Sequence, residues 1–407
     1  MAITSLTLPT DYSSAHDDLW AVALSDNINR IDFKYVFDIY TEQGQLIRIK
    51  VFPEPNNSYG YFNFGDVIAN EMKFDWFDPD QNFISYELGS NGEIFLDTKI
   101  CVGEEYEGTS YLSLDSGVCR AVNFTTSAFD RFNLKKINPN DNAGKNKFLT
   151  DRERTIDLNF AEDTLNLYLG LYIVNPSSEN VYAVELKAYT YSDTVAFTET
   201  VNLDITQTGV FQLDISPKAI NVYYSTTKIN PNTHKYYTVR LKHRSNNTTY
   251  DTITIKNICN PIYQTMPLHF MNSYGVFDTA YFKYLSRLTM DIERKGFEKR
   301  DYFFNSEDVV YKNDKNKYTE SKINYGSKMQ WNYHLTMDFP SDTDYKWLAD
   351  LIQSPQIYFQ SVEKGIVEYY PVTIKGSNFE YSKYVNNRLR PFEIDIELNQ
   401  KRYGFKR

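Results

Sequence analysis

The stretch LNLYLGLY at residues 165–172 places a leucine at every second position. Successive side chains of an extended chain point to opposite faces, so this period of two predicts a β-strand with one leucine-covered face. Shorter alternating runs of apolar side chains follow at 184–188, 203–205, 213–215, 237–241 and 253–255. The sequence therefore predicts a group of short strands around the leucine run.

These strands define a predicted domain at 154–258. About seven short strands within about 100 residues, separated by turn signals such as Asn175-Pro176, are typical of an immunoglobulin-like or fibronectin-like sandwich. The pattern predicts the strands and leaves their order open.

Residues 1–125 predict a second β domain. Aromatic and aliphatic side chains alternate with polar ones at 33–39, and a second alternating run follows at 47–51 after a turn that contains glycine. Two such runs joined by a short turn predict a β-hairpin. Residues 66–70 lack strand alternation, so we expect one helical turn there.

The rest of the chain is predicted to comprise a linker and a third domain. Residues 126–153 have a polar, turn-forming centre and are expected to be a linker or exposed loop. Residues 259–407 predict a C-terminal β domain with one or two short helices, the clearest at 344–354, where Pro355 ends a run with helical apolar spacing. A lysine-rich stretch at 311–322 predicts a long exposed loop. The expected fold class is all-β, mainly antiparallel sandwiches or a barrel, in several domains.

Composition narrows the function. The 407 residues include 43 Lys and Arg against 53 Asp and Glu, a formal net charge of −10. Proteins that grip nucleic acid phosphates usually carry a basic surplus, so the acidic balance argues against that role. Aromatic residues make up 16% of the chain, including 34 Tyr and 27 Phe, and these residues favour strands.

The common catalytic, metal and cofactor motifs are missing. No two of the five histidines have the spacing of a zinc helix, and neither a glycine-rich phosphate loop nor a nucleophile-elbow pattern occurs. We therefore predict no catalytic residue, no metal and no cofactor. Cys101 and Cys119 could pair as a disulfide, but free thiols in a reducing compartment are the simpler interpretation. No apolar run is long enough for a membrane helix, and the N-terminus lacks a secretory pattern, so we expect no membrane partner.

Four segments, in chain order, resemble a family of tail and collar structural proteins of tailed bacteriophages and prophages of Bacteroidetes, which includes the crAss-like group. The first two are residues 8–15 and 62–70. The third leads from Cys259 into 270–282, and the fourth covers 348–374. The third is the most specific, although Met271 and Ser273-Tyr274 depart from the family's pattern.

The resemblance implies a virion protein of the tail, collar or tail tip, made in the host cytoplasm and assembled as a homo-oligomeric ring or hub with other tail, portal or collar proteins. It also implies a last domain like those of tail-tube and distal-tail proteins. An acidic lumen would let DNA pass without binding it. The candidate assembly motif comprises Asn272, Tyr274, Gly275, Phe277, Asp278 and Phe282. A tight turn that feeds a strand, with Gly275 at positive φ, would explain the centre of this motif without a partner.

Two other functions stay open. A carbohydrate-binding or receptor-binding tail or surface module would use exposed Tyr and Trp rings as sugar platforms, for example Trp76 near Asp75. An enzyme would need a carboxylate pair such as Glu104-Glu105. Adjacent residues of one strand point to opposite faces, so these two glutamates cannot act as a pair if their segment is extended.

Overall fold

The structure is a computed structural model that describes residues 3–9, 13–41, 44–72, 83, 95–122, 148–162, 164–173, 182–203, 209–243, 248–258, 262–298, 302–304, 310–312, 322–337, 340–363, 365–376, 391–399 and 402–406. Strands dominate these residues, which confirms the predicted all-β class. The chain divides into two compact units. Unit 1 holds Met1–Asn260, His269–Thr279 and Thr343–Pro355, and unit 2 holds Pro261–Leu268, Ala280–Asp342 and Gln356–Arg407.

Two sheets and one helix form the N-terminal part of unit 1. The elements are β1 Ile3–Thr7, β2 Ser13–Ser14, β3 Trp20–Ser25, β4 Lys34–Thr41, β5 Gly44–Val51, β6 Gly60–Asn63, α1 Gly65–Glu71, β7 Phe95–Tyr106 and β8 Thr109–Val122. One sheet has the order β1-β3-β6 and the other β2-β8-β7-β4-β5. The predicted hairpin is confirmed as β4–β5, with Phe37 opposite Ile49. The alternating side chains Phe33, Tyr35, Phe37 and Ile39 are all buried in the core between these elements.

The leucine run belongs to a two-sheet β-sandwich. Its elements are β9 Thr155–Leu158, β10 Tyr168–Ile173, β11 Tyr182–Thr190, β12 Val195–Asn202, β13 Gly209–Asp214, α2 Pro217–Tyr223, β14 His234–His243 and β15 Thr249–Asn257. One sheet pairs β10 with β13, and the other has the order β12-β11-β14-β15-β9. All pairings are antiparallel except that of β9 with β15. The four alternating leucines are buried, as the period of two predicts.

One helix of this sandwich was not predicted. α2 begins after Ser216, whose hydroxyl accepts a hydrogen bond from the Ala219 amide at 3.2 Å, and Pro217 occupies the first turn. A serine cap followed by proline is a helix-start signal that the strand pattern on either side concealed. Tyr237 on β14 donates its hydroxyl to the Ile215 carbonyl at 2.7 Å, which ties β14 to the chain just before α2.

The remaining elements are β16 Met266–Met271, β17 Phe277–Phe282, β18 Arg287–Glu298, β19 Tyr302–Phe304, β20 Val310–Lys312, β21 Lys322–Met337, α3 Asp342–Gln353, β22 Ile357–Glu363, β23 Ile366–Lys375, β24 Phe392–Leu398 and β25 Arg402–Lys406. The large sheet has the order β17-β16-β22-β23-β24-β21-β18, and β25 also pairs with β21. Unit 2 contains residues 280–282 of β17 and 266–268 of β16. The helix predicted at 344–354 is confirmed as α3, and its apolar residues Trp347, Leu348 and Leu351 are buried.

The domain boundaries stay a prediction, but the division into two units places two segments differently from the predicted domains. Residues 269–279 and 343–355, which we assigned to the C-terminal domain, belong to unit 1. Phe148 and Thr150, inside the predicted linker, are buried because the Phe148 and Leu149 amides bond to Asp251 and Gly170 of the sandwich. The rest of that linker, 126–147, and most of the predicted loop at 311–322 lie outside the described residues.

Two smaller expectations concern sulfur and membranes. Cys101 and Cys119 are buried free thiols, because their strands are in a register that sets Cys101 opposite Ser116 and Cys119 opposite Thr98. In the described part of the chain, no helix is both long and apolar enough to cross a membrane.

Candidate functional site

The centre of the predicted assembly motif is a tight turn between β16 and β17. The Gly275 amide donates to the Asn272 carbonyl at 3.0 Å, and the Asn272 amide donates to the Val276 carbonyl at 2.8 Å. Gly275 has φ +74°, a left-handed conformation that glycine adopts without strain. The Asn272 side-chain oxygen accepts from the Tyr274 amide at 3.0 Å. The turn predicted as the simpler explanation of these residues is therefore confirmed.

The turn holds a fully buried carboxylate, Asp278. One oxygen, Oδ2, accepts three hydrogen bonds: from Thr150 Oγ1 at 2.7 Å, from Asn272 Nδ2 at 3.0 Å and from Trp347 Nε1 at 2.7 Å. Burial raises the pKa of Asp278, while the Arg152 guanidinium and these hydrogen bonds oppose the rise. Arg152 in turn lies over the Trp347 ring at 4.6 Å. One carboxylate thus joins three segments of unit 1 that are far apart in the chain.

A second carboxylate, Asp350 of α3, holds the same turn from the helix side. Its Oδ2 accepts from the Ser273 amide at 3.1 Å. Burial raises the pKa of Asp350 to about 6, and the negative charges of Asp151 and Asp278 contribute to that rise. Asp151 also accepts a 2.8 Å hydrogen bond from the Tyr274 hydroxyl. The acidic residues around this turn all have structural partners.

Five of the six motif residues belong to unit 1, and the sixth does not. Phe282 belongs to unit 2, where its ring packs near that of Phe392 with 6.2 Å between centroids. Phe277 is buried, and its backbone exchanges two hydrogen bonds with the Gln212 side chain. Asn272, Asp278 and Phe282 are also buried, and only Tyr274 and Gly275 are partly exposed. An assembly role for the motif stays a prediction, and burial leaves Tyr274 and Gly275 as the only members able to touch a partner.

The carboxylates considered for catalysis are also separated. Glu104 is buried and accepts hydrogen bonds from the Ser25 hydroxyl and from Asn27 Nδ2, the latter at 3.0 Å. Glu105 points to the opposite face of β7 and forms an ion pair with Lys50 at 2.7 Å. Among the described residues, no group of three or more His, Cys, Asp or Glu side chains could hold a metal ion. Trp76, the candidate sugar platform, lies outside the described residues.

A surface of unit 2 that the sequence analysis missed is more distinctive. All twelve residues of β18 are exposed, although the strand pairs along its whole length with β21. Residues directly opposite each other in an antiparallel pair share a face. One face of this pair therefore carries Leu288 with Tyr333, Met290 with Trp331 and Ile292 with Met329. We call these six residues the apolar stripe.

The apolar stripe continues the buried face of the unit 2 sheet. Tyr333 pairs with Ile396 of β24, and Leu335 pairs with Ile394; Leu335, Ile394 and Ile396 are all buried. On β18 the same face is uncovered: Leu288 is 51% exposed, Met290 41% and Ile292 38%. The alternation of apolar and polar residues at 287–293 and 329–337 is readable in the sequence and would have predicted both strands.

The opposite face of β18 is polar and charged. It carries Arg287, Thr289, Asp291, Glu293 and Lys295. Asn332 of β21 donates to Asp291 Oδ2 at 2.6 Å, which secures the pairing of the two strands. The β18–β21 pair is thus amphipathic, and its apolar face is exposed along β18, while on β21 the Tyr333 ring packs against Phe359 with 4.9 Å between centroids.

Comparisons with known proteins add little to this geometry. No protein-family model matches the sequence, and no curated protein matches it. The structure is similar to the FN1–FN3 domains of chicken CNTN1 at a TM-score of 0.19, with 10% identity over 64% of this chain and 67% of that chain. It is also similar to a segment of two fibronectin type III domains from chicken tenascin at a TM-score of 0.21, with 8% identity over 62% of this chain and 97% of that chain. The fold assignment rests on the strand order described above.

Proposed function

We propose that this protein is a non-enzymatic structural protein of a phage virion, which assembles as an oligomeric ring or hub in the tail or collar. Its partners are further copies of itself and other tail, portal or collar proteins. DNA passes the acidic assembly without specific binding. The four segments that resemble tail and collar proteins support the virion assignment, and the apolar stripe supports the assembly.

The apolar stripe is the observation that carries the proposal. Burying apolar surface lowers the free energy by about 25 cal/mol per Å². The apolar face of this sheet is buried at one end of its strands and exposed at the other, so binding of a partner at the exposed end is favourable. Contiguous exposed apolar surface on a soluble protein marks an interaction site more often than scattered single residues do. Leu288, Met290 and Ile292 form such a contiguous row on one strand.

The buried polar groups support a structural rather than a catalytic role. Asp278, Asp350 and Glu104 each accept hydrogen bonds from backbone or side-chain donors that hold distant segments together. A catalytic acid or base needs access to a substrate proton. Asp278 and Glu104 are buried and engaged in the fold.

Native mass spectrometry of the purified full chain over a concentration series, with negative-stain images of any large species, tests this proposal. We expect a discrete closed oligomer whose population grows with concentration. A monomer at every concentration, with no ring in the images, would contradict it.

Binding of carbohydrate is a second candidate, favoured by an aromatic surface in the N-terminal part of unit 1. The rings of Tyr106 and Tyr111 are stacked with 4.7 Å between centroids, and Tyr111 is 42% exposed. An exposed stacked ring is the kind of platform on which a sugar face packs. We would expect a glycan array to show a glycan that binds wild type and does not bind Tyr111→Ala. An array on which no glycan binds wild type would contradict this second candidate function.

A further inference from the structure

We propose that the β18 strands of two copies of this chain pair antiparallel, with Met290 opposite Met290 of the second copy, so that the two apolar stripes join into one. This inference deepens the proposed function, because it rests on the oligomer proposed above and names the partner at the apolar stripe.

The first support is the open edge of β18. The strand is last in its sheet, and no other strand of the described residues pairs with its outer side. A long exposed edge strand presents unpaired backbone amides and carbonyls, which template the addition of another strand. The twelve residues of β18 contain no proline, and proline is a common means of blocking such an edge.

The second support is the charge pattern along β18. With Met290 at the centre, an antiparallel partner places Glu293 opposite Arg287 on the polar face, and it does so twice because of the two-fold symmetry. The same register sets Asp291 opposite Thr289. On the apolar face, Leu288 lies opposite Ile292. Every charge from 287 to 293 thus meets an opposite charge or a hydroxyl, and every apolar side chain meets another.

Neighbouring registers are worse. A centre at Asp291 sets that carboxylate against itself and Arg287 against Lys295. A centre at Ile292 sets Asp291 against Glu293. Like charges directly opposite each other destabilise an antiparallel pair. A centre at Thr289 keeps Arg287 opposite Asp291 but shortens the complementary overlap to 287–291. The sequence of β18 therefore favours the register centred on Met290 over its neighbours.

The pairing constrains the assembly. A two-fold contact uses the same surface on both copies, so a closed ring that contains it holds an even number of subunits. The joined stripe doubles the row of apolar side chains, and each Met290 side chain gains lateral contact with its counterpart on the second copy. The second copy is the occupant favoured by this complementarity; a different tail protein at the same edge is an outcome of the test below.

Cysteine cross-linking of the full chain tests the register. Directly opposite Cβ atoms lie about 4.5–5.5 Å apart, close enough for a disulfide after a small adjustment. We expect oxidised Met290→Cys to give a disulfide-linked dimer as its main species. Leu288→Cys alone and Ile292→Cys alone would stay unlinked, since each lies about 13 Å from its own copy. A mixture of Leu288→Cys and Ile292→Cys would cross-link.

Two controls define the background. Wild type, with only its own cysteines, is the blank, and Ile366→Cys on β23 is a matched variant because Ile366 is 63% exposed and lies outside the stripe. Cross-linking of Ile366→Cys or of Leu288→Cys alone at the level of Met290→Cys would overturn the register.

Charge reversal provides a second readout. Glu293→Arg would set like charges opposite each other twice and raise the dissociation constant of the oligomer about tenfold. Arg287→Glu combined with Glu293→Arg restores complementarity between copies, so it would recover the wild-type constant. Glu293→Arg also places an arginine opposite Lys328 of β21 within one chain. The double variant has the same arginine, so a recovery of the dissociation constant in the double variant can only come from the contact between copies.

The outcomes distinguish the inference from the proposed function. An oligomer of wild type without Met290→Cys cross-links, or without recovery in the double variant, would overturn the β18 pairing and leave the assembly proposal standing. A wild type that stays monomeric at every concentration would overturn both.

Discussion

Individual buried carboxylates in unit 1 connect distant segments of the chain by hydrogen bonds. Asp278 receives hydrogen bonds from Thr150, Asn272 and Trp347, and Asp350 receives one from the backbone of the same turn. Asp214 plays a similar part in the sandwich, where it accepts hydrogen bonds from the Leu167 and Ser216 amides. Burial raises the pKa of Asp214 and of Asp350 to about 6. These residues connect distant segments of the one chain, and their ionisation makes the free energy of unfolding depend on pH.

Replacing Asp350 by Asn tests this at one residue. The pKa of about 6 in the folded state lies above the ordinary aspartate pKa of 3.8, so between these pH values the folded state holds a proton that the unfolded state has lost. Stability from this group is therefore present below pH 3.8 and is lost as pH rises to about 6. We expect the free energy of unfolding of Asp350→Asn, relative to wild type, to increase over that interval.

Denaturant titrations at several pH values measure this difference. Asp193→Asn is a suitable control, because Asp193 is exposed in its ion pair with Lys235. A difference between Asp350→Asn and wild type that is the same at pH 4 and pH 7 would contradict the assignment.

Gly275 offers a second test at the residue scale. Its φ of +74° is a left-handed conformation in which a side chain is strained, so Gly275→Ala should lower the free energy of unfolding by about 1–2 kcal/mol. Gly326→Ala is the matched control, since a Cβ there would meet no atom within 4 Å and its φ is not left-handed. Thermal or chemical unfolding measures the free energy of unfolding of both variants. Equal values would contradict the prediction, because they would mean that the turn accommodates an alanine at position 275 without strain.

At the scale of elements, the close approach of β10 to the turn is a tight constraint. A Cβ on Gly170 would overlap the side chain of Val276, so Gly170→Ala should lower the free energy of unfolding by about 1–3 kcal/mol. Val276→Ala removes the two overlapping methyl groups and leaves the Val276 Cβ at 2.5 Å, so it relieves part of the overlap. In a double-mutant cycle, we expect the two substitutions together to cost less than the sum of their separate effects. Strict additivity would mean that the two positions do not contact each other.

The elements also show what the sequence could predict. The leucine run at 165–171 and the alternation at 33–39 were sufficient for their strands, because a period of two depends only on neighbouring residues. The pairing of Thr150 with Asp278, 128 residues apart, depends on the complete fold, and so does the grouping of α3 with unit 1. The interpretation of residues 274–278 as a tight turn that feeds a strand is confirmed. The burial of Asn272 and Asp278 was not predicted, because an Asn and an Asp next to a Gly indicate a surface turn unless the distant residues that cover them are known.

At the scale of the whole molecule, the apolar stripe links the fold to the proposed function. The alternation in β18 and β21 is visible in the sequence. Which residues of the apolar face are buried and which are exposed depends on the register of β21 with β24. That pairing involves only residues 332–337 of β21. The remaining length of β21 pairs with β18 and β25. The stripe is thus a consequence of strand lengths, and assembly is the function that an uncovered sheet face favours.

The most direct test is the native mass of Met290→Asp compared with wild type at a concentration at which wild type has assembled. Met290 is an exposed residue at the centre of the stripe, so the variant should fold, and circular dichroism checks this. We expect Met290→Asp to lose the closed oligomer of wild type, because it would set two carboxylates opposite each other in an apolar contact, while Ile366→Asp assembles like wild type. Met290→Asp assembling as well as wild type would contradict the stripe as the assembly surface.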